Sequence, residues 1–223
     1  MTFSVAGICP DTGMMGCAIT SSSICVASRC AFVRSGTGVA LTQNITNPDL
    51  GPLALDLLAE GRTPQQAIEA LAYVDTDVQW RQLGVLNAEG EGVTFSGEQA
   101  LGIHATAQGK DCIAMGNLLE NTGVPQAMID AFESSSGHLA ERLLSALEAG
   151  LAAGGELGPV HSAGLLMCAE PKWPVVDLRV DWHIEPITEL RMVWHNYLPQ
   201  MDAYITRAKD PANAESFGVP GDE

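Results

Sequence analysis

The sequence predicts an α+β protein, built as a four-layer αββα sandwich of mainly antiparallel sheets. Three observations carry this expectation. Strand-like segments come in blocks separated by blocks of helical segments, whereas a parallel βαβ fold alternates them singly. Short turn sequences such as Pro10-Asp11-Thr12-Gly13 join successive strands, as antiparallel hairpins require. Two separate helical blocks are present, enough to cover the sheets from outside. The chain has 223 residues, 46% hydrophobic and 17% charged. Single cores keep growing to about 250 residues, so residues 1–207 are expected to form one domain, followed by an acidic C-terminal tail over 208–223.

Residues 3–9, rich in small and branched side chains, and the apolar run 14–20 read as the two arms of a hairpin that starts at Thr2. Further strands are expected at 30–34 and 38–43, the second entered through Ser35-Gly36-Thr37-Gly38. After Asn47-Pro48 the period changes: Leu50, Leu53, Ala54, Leu57 and Leu58 fall at helical offsets, closed by Gly61. Thr63-Pro64 then supplies an N-cap and first-turn proline for a second helix through Tyr73, with Ala67, Ile68 and Leu71 on one face. Strands return at 79–87 and 92–96, around Ile103, and at 111–116. Leucine and alanine spacing predicts helices over 125–133 and 138–150, ending in the loop Ala152-Ala153-Gly154-Gly155. Two last strands, 162–169 and 175–182, precede a C-terminal helix from about Pro186 to about Arg207. That helix carries Leu190, Trp194, Tyr197, Met201 and Tyr204 on one stripe, and Pro199 is expected to kink or restart it. The stripe suits packing on its own domain or a two-fold seam, and a homodimer is expected.

Composition excludes several functions. With 11 basic against 27 acidic residues the net charge is −16, so nucleic acid and anionic membranes are disfavoured as partners. No apolar run is long enough to span a bilayer, and the first residues lack the basic start and apolar stretch of a secretory signal, so a cytoplasmic location is expected. None of the six cysteines lies in a C-x-x-C pair, and Cys9, Cys17 and Cys25 fall in apolar, strand-like stretches. Buried, reduced thiols without chemistry are expected. Asp181 and His183 are too few to make a metal site, and a structural role is expected for each of the five histidines. No metal and no cofactor are expected. The phosphate-binding G-x-x-x-x-G-K-S/T, zinc H-E-x-x-H and elbow-serine G-x-S-x-G motifs are missing from the sequence.

What stands out instead is Thr2, directly ahead of a strand. Removal of the initiator methionine before a small residue would place this threonine at the chain terminus. A free α-amine has a pKa near 7.7–8.0, so one residue then supplies both a hydroxyl nucleophile and the base that accepts its proton. The plainer alternative is that many chains carry threonine after the initiator.

Several segments resemble the uncharacterised prokaryotic domain-of-unknown-function family 1028. They are Thr2-Phe3-Ser4-Val5, Thr12-Gly13-Met14-Met15-Gly16, Asn47-Pro48-Asp49-Leu50-Gly51-Pro52, Arg81-Gln82-Leu83-Gly84-Val85, Gly116-Asn117-Leu118-Leu119 and Val176-Asp177-Leu178-Arg179-Val180-Asp181. They extend from residue 2 to about residue 195. That family is assigned to the N-terminal-nucleophile (Ntn) hydrolase superfamily, whose members resemble proteasome β-subunits and are αββα sandwiches. The resemblance implies amide-bond hydrolysis, with Thr2 at the position of the superfamily nucleophile.

Around Thr2 the sequence offers further candidates. Asn117 is the catalytic candidate for holding the tetrahedral oxyanion, a role in which one side-chain amide is worth about 10²–10³ in rate. Capping a helix at Leu118-Leu119 is its plainer role. On the strand over 175–182, alternation places Asp177, Arg179 and Asp181 on one face. Arg179 flanked by carboxylates suits binding of a substrate carboxylate, or else forms a solvated ionic face. Asn44, beside Gln43, is a substrate-binding candidate that turn chemistry explains equally well. Arg29 and Arg34 are weaker candidates for tuning the amine. Two functions follow: an amidohydrolase acting on a small amide, peptide or acylated amino acid, or a catalytically silent sandwich that binds a small molecule or protein.

Overall fold

A computed structural model describes residues 1–216 of the chain. β1 (Thr2–Cys9) and β2 (Met14–Ser21) form the expected hairpin, turned at Gly13, whose φ of +68° is the left-handed conformation glycine tolerates. A four-residue helix, α1 (Ala27–Cys30), precedes β3 (Ala31–Arg34) and β4 (Gly38–Asn44). Next come α2 (Leu50–Ala59) and α3 (Pro64–Val74). At the start of α3, Thr63 accepts from the Gln66 N–H at 3.2 Å, and the Gln66 side chain accepts from the Thr63 N–H at 3.1 Å.

The chain continues through β5 (Arg81–Asn87), β6 (Gly92–Ser96), β7 (Ala105–Gly109) and β8 (Cys112–Asn117). Two helices follow, α4 (Val124–Ser134) and α5 (Leu139–Ala152), then β9 (Ser162–Cys168) and β10 (Val176–Val180). The last helices are α6 (Pro186–Tyr197) and α7 (Met201–Lys209).

The strands make two antiparallel sheets, one ordered β10-β9-β2-β1-β8-β7 and one ordered β3-β4-β5-β6. Side-chain alternation builds three apolar layers from them. Ala6, Ile8, Cys17, Ile19, Val39, Leu41, Ile113 and Met115 meet between the sheets. From the opposite face of the larger sheet, Phe3, Val5, Ala18 and Leu165 pack beneath Phe132, Leu143, Leu147 and Trp194 of α4, α5 and α6. From the outer face of the smaller sheet, Ala40, Leu83 and Val85 pack beneath Leu55, Leu58, Ile68 and Leu71 of α2 and α3. The expected α+β sandwich of helix, sheet, sheet and helix is therefore the fold.

Local differences have physical reasons. The strand expected near Ile103 lies two residues later, and Ile103 is left exposed in a bend whose carbonyl accepts from Leu119 N–H at 2.8 Å. β5 begins at Arg81 because residues 78–80 form a single 3₁₀ turn, in which Trp80 N–H reaches the Asp77 carbonyl. β10 stops at Val180, and Trp182 stacks on His161 with ring centroids 4.5 Å apart. At Pro199 the C-terminal helix breaks into a 3₁₀ turn before α7, since proline has no N–H to give. Most of the stripe is turned inward. Leu190 and Trp194 are fully buried, Trp194 Nε1 donates to Glu141 at 2.6 Å, and Tyr197 donates to the Val175 carbonyl at 2.7 Å. Tyr204, at the end of the stripe, is exposed and stacks on Tyr197 with ring centroids 5.9 Å apart. Of the tail expected over 208–223, α7 takes in the first residues and 217–223 lie outside the described residues.

The six cysteines are free, four of them buried. Burial pushes the Cys30 thiol up to about 11 and Cys112 to about 12, and it raises Cys17 and Cys168 as well, so thiolate chemistry is suppressed there. Among the described residues, no helix is long and apolar enough to cross a membrane, and no group of three or more His, Cys, Asp or Glu side chains is placed to hold a metal ion.

Candidate functional site

Thr2 opens β1, the strand flanked by β2 and β8 in the larger sheet. Its register partner on β8 is Asn117, and on β2 the pairing of Phe3 with Thr20 brings Ser21 alongside. Thr2 shares its parity with Ala6 and Ile8, which line the inter-sheet layer, so it faces the smaller sheet. It is 5% exposed. Thr2 Oγ1 is in hydrogen-bond contact with the Met1 carbonyl oxygen and lies 3.4 Å from Ser21 Oγ. Ser21 Oγ accepts from Ser23 N–H at 3.0 Å and donates to the same Met1 oxygen. Two hydroxyls therefore converge on the carbonyl of the amide bond that joins Met1 to Thr2.

Behind Thr2 a chain of buried side chains joins the sheets. Ser4 Oγ donates to Gln43 Oε1 at 2.8 Å, and Gln43 Nε2 donates to Gln82 Oε1 at 2.7 Å. Gln82 Oε1 also accepts from Asn117 Nδ2 at 3.1 Å, while Gln82 Nε2 donates to Ser96 Oγ and the Gly116 carbonyl, each at 3.0 Å. A backbone carbonyl can only accept, so Gly116 fixes which way each amide in the chain points. The outcome leaves Asn117 Oδ1 buried without a partner among the described residues, although the residue is fully covered. Such an orphan costs about 1–3 kcal/mol unless a ligand or water donates to it.

A carboxylate closes the end of β1. After α5 the chain turns through Gly154 and Gly155, with φ of +125° and +61°, and delivers Glu156, which is 4% exposed. Glu156 forms a bridge with Leu119 just beyond β8, and the flanking Gly155 and Leu157 bond to Glu120 and Leu118. Both of its carboxylate oxygens accept from Ser22 N–H at 3.2 Å, just beyond β2. Glu156 is thus tied to the chain on either side of Thr2. Burial pushes its carboxyl up to about 7, against the opposing pull of the Met1 ammonium and of Ser22.

Of the residues expected to form a site, Thr2 and Asn117 come together as partners on adjacent strands. Asn117 ends β8 rather than capping a helix, since α4 starts at Val124. The other three make other contacts. Asn44, with φ of +74°, donates to the Trp80 carbonyl and accepts from Leu101 N–H, and the Leu101 carbonyl accepts from Leu118 N–H just past Asn117. Arg179 is opposite Gly164, which is opposite Ile19, which is opposite Ser4. Three inter-strand steps put it about 14 Å from β1, where it pairs with Asp181 at 3.2 Å. Asp177 is exposed on the same edge strand. Arg29 is held by the carbonyls of Ile24 and Cys25, and Arg34 by Asp56.

Sequence reasoning named Gln43 only together with Asn44, and missed Glu156, Ser21 and Gln82. For the glutamines a signal exists: each occupies an inward position beside apolar ones on its strand. For Glu156 it is weaker, a single acid in the run Gly154-Gly155-Glu156-Leu157-Gly158-Pro159.

A solved structure of protein SPO2555 from Silicibacter pomeroyi matches with a TM-score of 0.83 and 29% identity, covering 88% of this chain and 85% of that one. Anbu (ancestral beta-subunit) from Yersinia bercovieri matches over 91% of this chain and 97% of its own, with 11% identity and a TM-score of 0.40. No curated protein matches. Residues 2–190 match a family of unknown function, DUF1028, and the chain belongs to that family.

Proposed function

We propose that this chain is an amide hydrolase of the N-terminal-nucleophile type, with Thr2 as the nucleophile once Met1 has been removed. One observation carries the reading: Thr2 Oγ1, at the buried start of a central strand, lies against an amide carbonyl whose oxygen a second hydroxyl, from Ser21, already holds. In the reaction, the freed α-amine takes the hydroxyl proton and Oγ1 adds to the substrate carbonyl carbon. Ser21 Oγ–H and the second Nδ2–H of Asn117 donate to the oxyanion. The proton then passes to the leaving nitrogen as the C–N bond breaks, and water cleaves the resulting ester by the same route. A small amide or peptide in the cytoplasm suits the acidic surface and the covered site.

The test is turnover of a panel of amides by protein that begins at Thr2 and by its Thr2→Ala and Thr2→Ser variants. Loss with alanine and partial retention with serine is the expected result, and equal turnover by all three removes Thr2 from the mechanism. A separate observation favours the binding-module reading. A cleft of about 460 Å³, lined by Gly36, Thr37, Arg62, Asn87 and Glu89 among others, opens at the other end of β4 and β5 from Gln43 and Gln82. Ligand binding there that survives Thr2→Ala, with no turnover by any of the three, selects that reading.

A further inference from the structure

We propose that Glu156 anchors a primary ammonium, so that the site takes aminoacyl compounds, amides or short peptides with a free α-amine, in preference to N-acylated ones. This rests on the hydrolase reading and specifies its substrate class.

The geometry comes from Met1 itself. Its carbonyl is held by Thr2 Oγ1 and Ser21 Oγ, and the residue after Ser21, Ser22, gives its N–H to both oxygens of the buried Glu156 carboxylate. Met1 thus occupies the site as an aminoacyl group with its carbonyl at the nucleophile, and Glu156 is the acid beside it, in the field of its ammonium. The nitrogen and Oγ1 of one threonine span a five-membered ring with an acyl carbon. An acyl group carried on Oγ1 therefore sits close to where the Met1 acyl group sits on nitrogen, with its own α-ammonium near the same acid.

The Thr2 nitrogen is a poorer match for Glu156. Ile8 N–H donates to the Asp111 carbonyl on the β8 side. Residues of one parity in a strand direct their N–H groups the same way, so Thr2 directs its nitrogen toward β8. Glu156 lies past the ends of β8 and β2 alike, bridged to Leu119 and bonded to Ser22 N–H. A second, independent observation points to a donor-rich ligand: Asn117 Oδ1, fully covered and next to Thr2 in register, has no partner among the described residues. Arg29, the basic residue nearest in sequence to Ser22 and Ser23, is already committed to the Ile24 and Cys25 carbonyls. The chemistry that remains open is acceptance, by a carboxylate and an amide oxygen, which an ammonium meets with a charge and three donors and an acetylated amine with a single uncharged N–H.

The experiment uses full chain produced from a cleavable fusion, so that residue 2 is the N-terminus, and carrying Thr2→Ala so that no probe is consumed. Binding of L-methioninamide and of N-acetyl-L-methioninamide is measured by calorimetry at pH 8. The expected result is at least tenfold tighter binding of the free amine, abolished by adding Glu156→Gln, which keeps an acceptor for Ser22 N–H, and reduced by Glu156→Asp. Equal affinity for the two probes, binding of neither, or a preference that survives Glu156→Gln overturns the proposal. The comparison of probes on the parent protein decides the matter even where the Glu156 variants fail to fold. Turnover by the Thr2 protein is scored separately: amine-selective binding without Thr2-dependent hydrolysis sinks the hydrolase reading and leaves the ammonium site standing.

Discussion

Replacing Glu156 by glutamine changes the pH dependence of stability in a way the structure specifies. Burial lifts this carboxyl from its ordinary 4.5 to about 7, so the folded state binds the proton more tightly than the unfolded chain does. Between those two values folding takes up a proton, and stability falls as pH rises through the window, levelling off above about pH 7. At about 1.4 kcal/mol per tenfold change in proton affinity, the full cost is about 3 kcal/mol by pH 8. Glutamine has the same shape, still accepts from Ser22 N–H, and carries no titrating proton. The variant should therefore match the parent near pH 5 and be more stable by about 3 kcal/mol at pH 8, roughly 6–12 °C in Tm for a chain of this length. The assay is thermal and urea denaturation of both proteins at pH 5, 6.5 and 8, on material shown by mass to retain Met1, whose ammonium pulls against the burial of this carboxyl. The other 26 acidic residues are common to both proteins, so their titration cancels in the difference. A pH-independent difference, or a parent that gains on the variant as pH rises, would refute the claim that Glu156 is held desolvated across the end of β1.

Three further outcomes are expected. Gln82→Leu strands Gln43 Nε2, Asn117 Nδ2 and the Gly116 carbonyl in the inter-sheet layer, and should cost on the order of 3 kcal/mol in denaturant unfolding. Gly38→Ala should destabilise by about 2 kcal/mol or more, because its φ is +155° and an added Cβ would meet the Leu86 carbonyl oxygen at 2.3 Å; urea midpoints measure it. Arg179→Ala removes only an exposed pair with Asp181, so stability should stay within about 0.5 kcal/mol of the parent, and turnover of any amide that Thr2 hydrolyses should be unchanged.

Much of the fold was legible in the sequence. The hairpin at Pro10 to Gly13, the capped helix at Thr63-Pro64 and the break at Pro199 are local events, set by backbone freedom, capping oxygens and a missing N–H. Strand alternation was read correctly for Asp177 and Arg179, which do share an outward face of β10. Local pattern also placed Thr2 at the head of a strand.

Which strands lie beside that head is a property of the tertiary structure. Asn117 is 115 residues from Thr2 along the chain and opposite it in register, while Arg179, equally plausible as a written residue, is three strands away. At the Gln43-Asn44 pair, strand parity turns glutamine to the inter-sheet layer, while asparagine, left-handed at the strand end, bonds the Trp80 carbonyl and Leu101 N–H. Glu156 gains its character only because the loop after α5 folds over the ends of β2 and β8, removing water from a carboxylate that would be ordinary in solution. Sequence by itself determined the elements and the nucleophile candidate, since periodicity, turns and capping act over a few residues. The site's company was decided by sheet order and burial, because desolvation and pairing depend on neighbours that chain proximity does not specify.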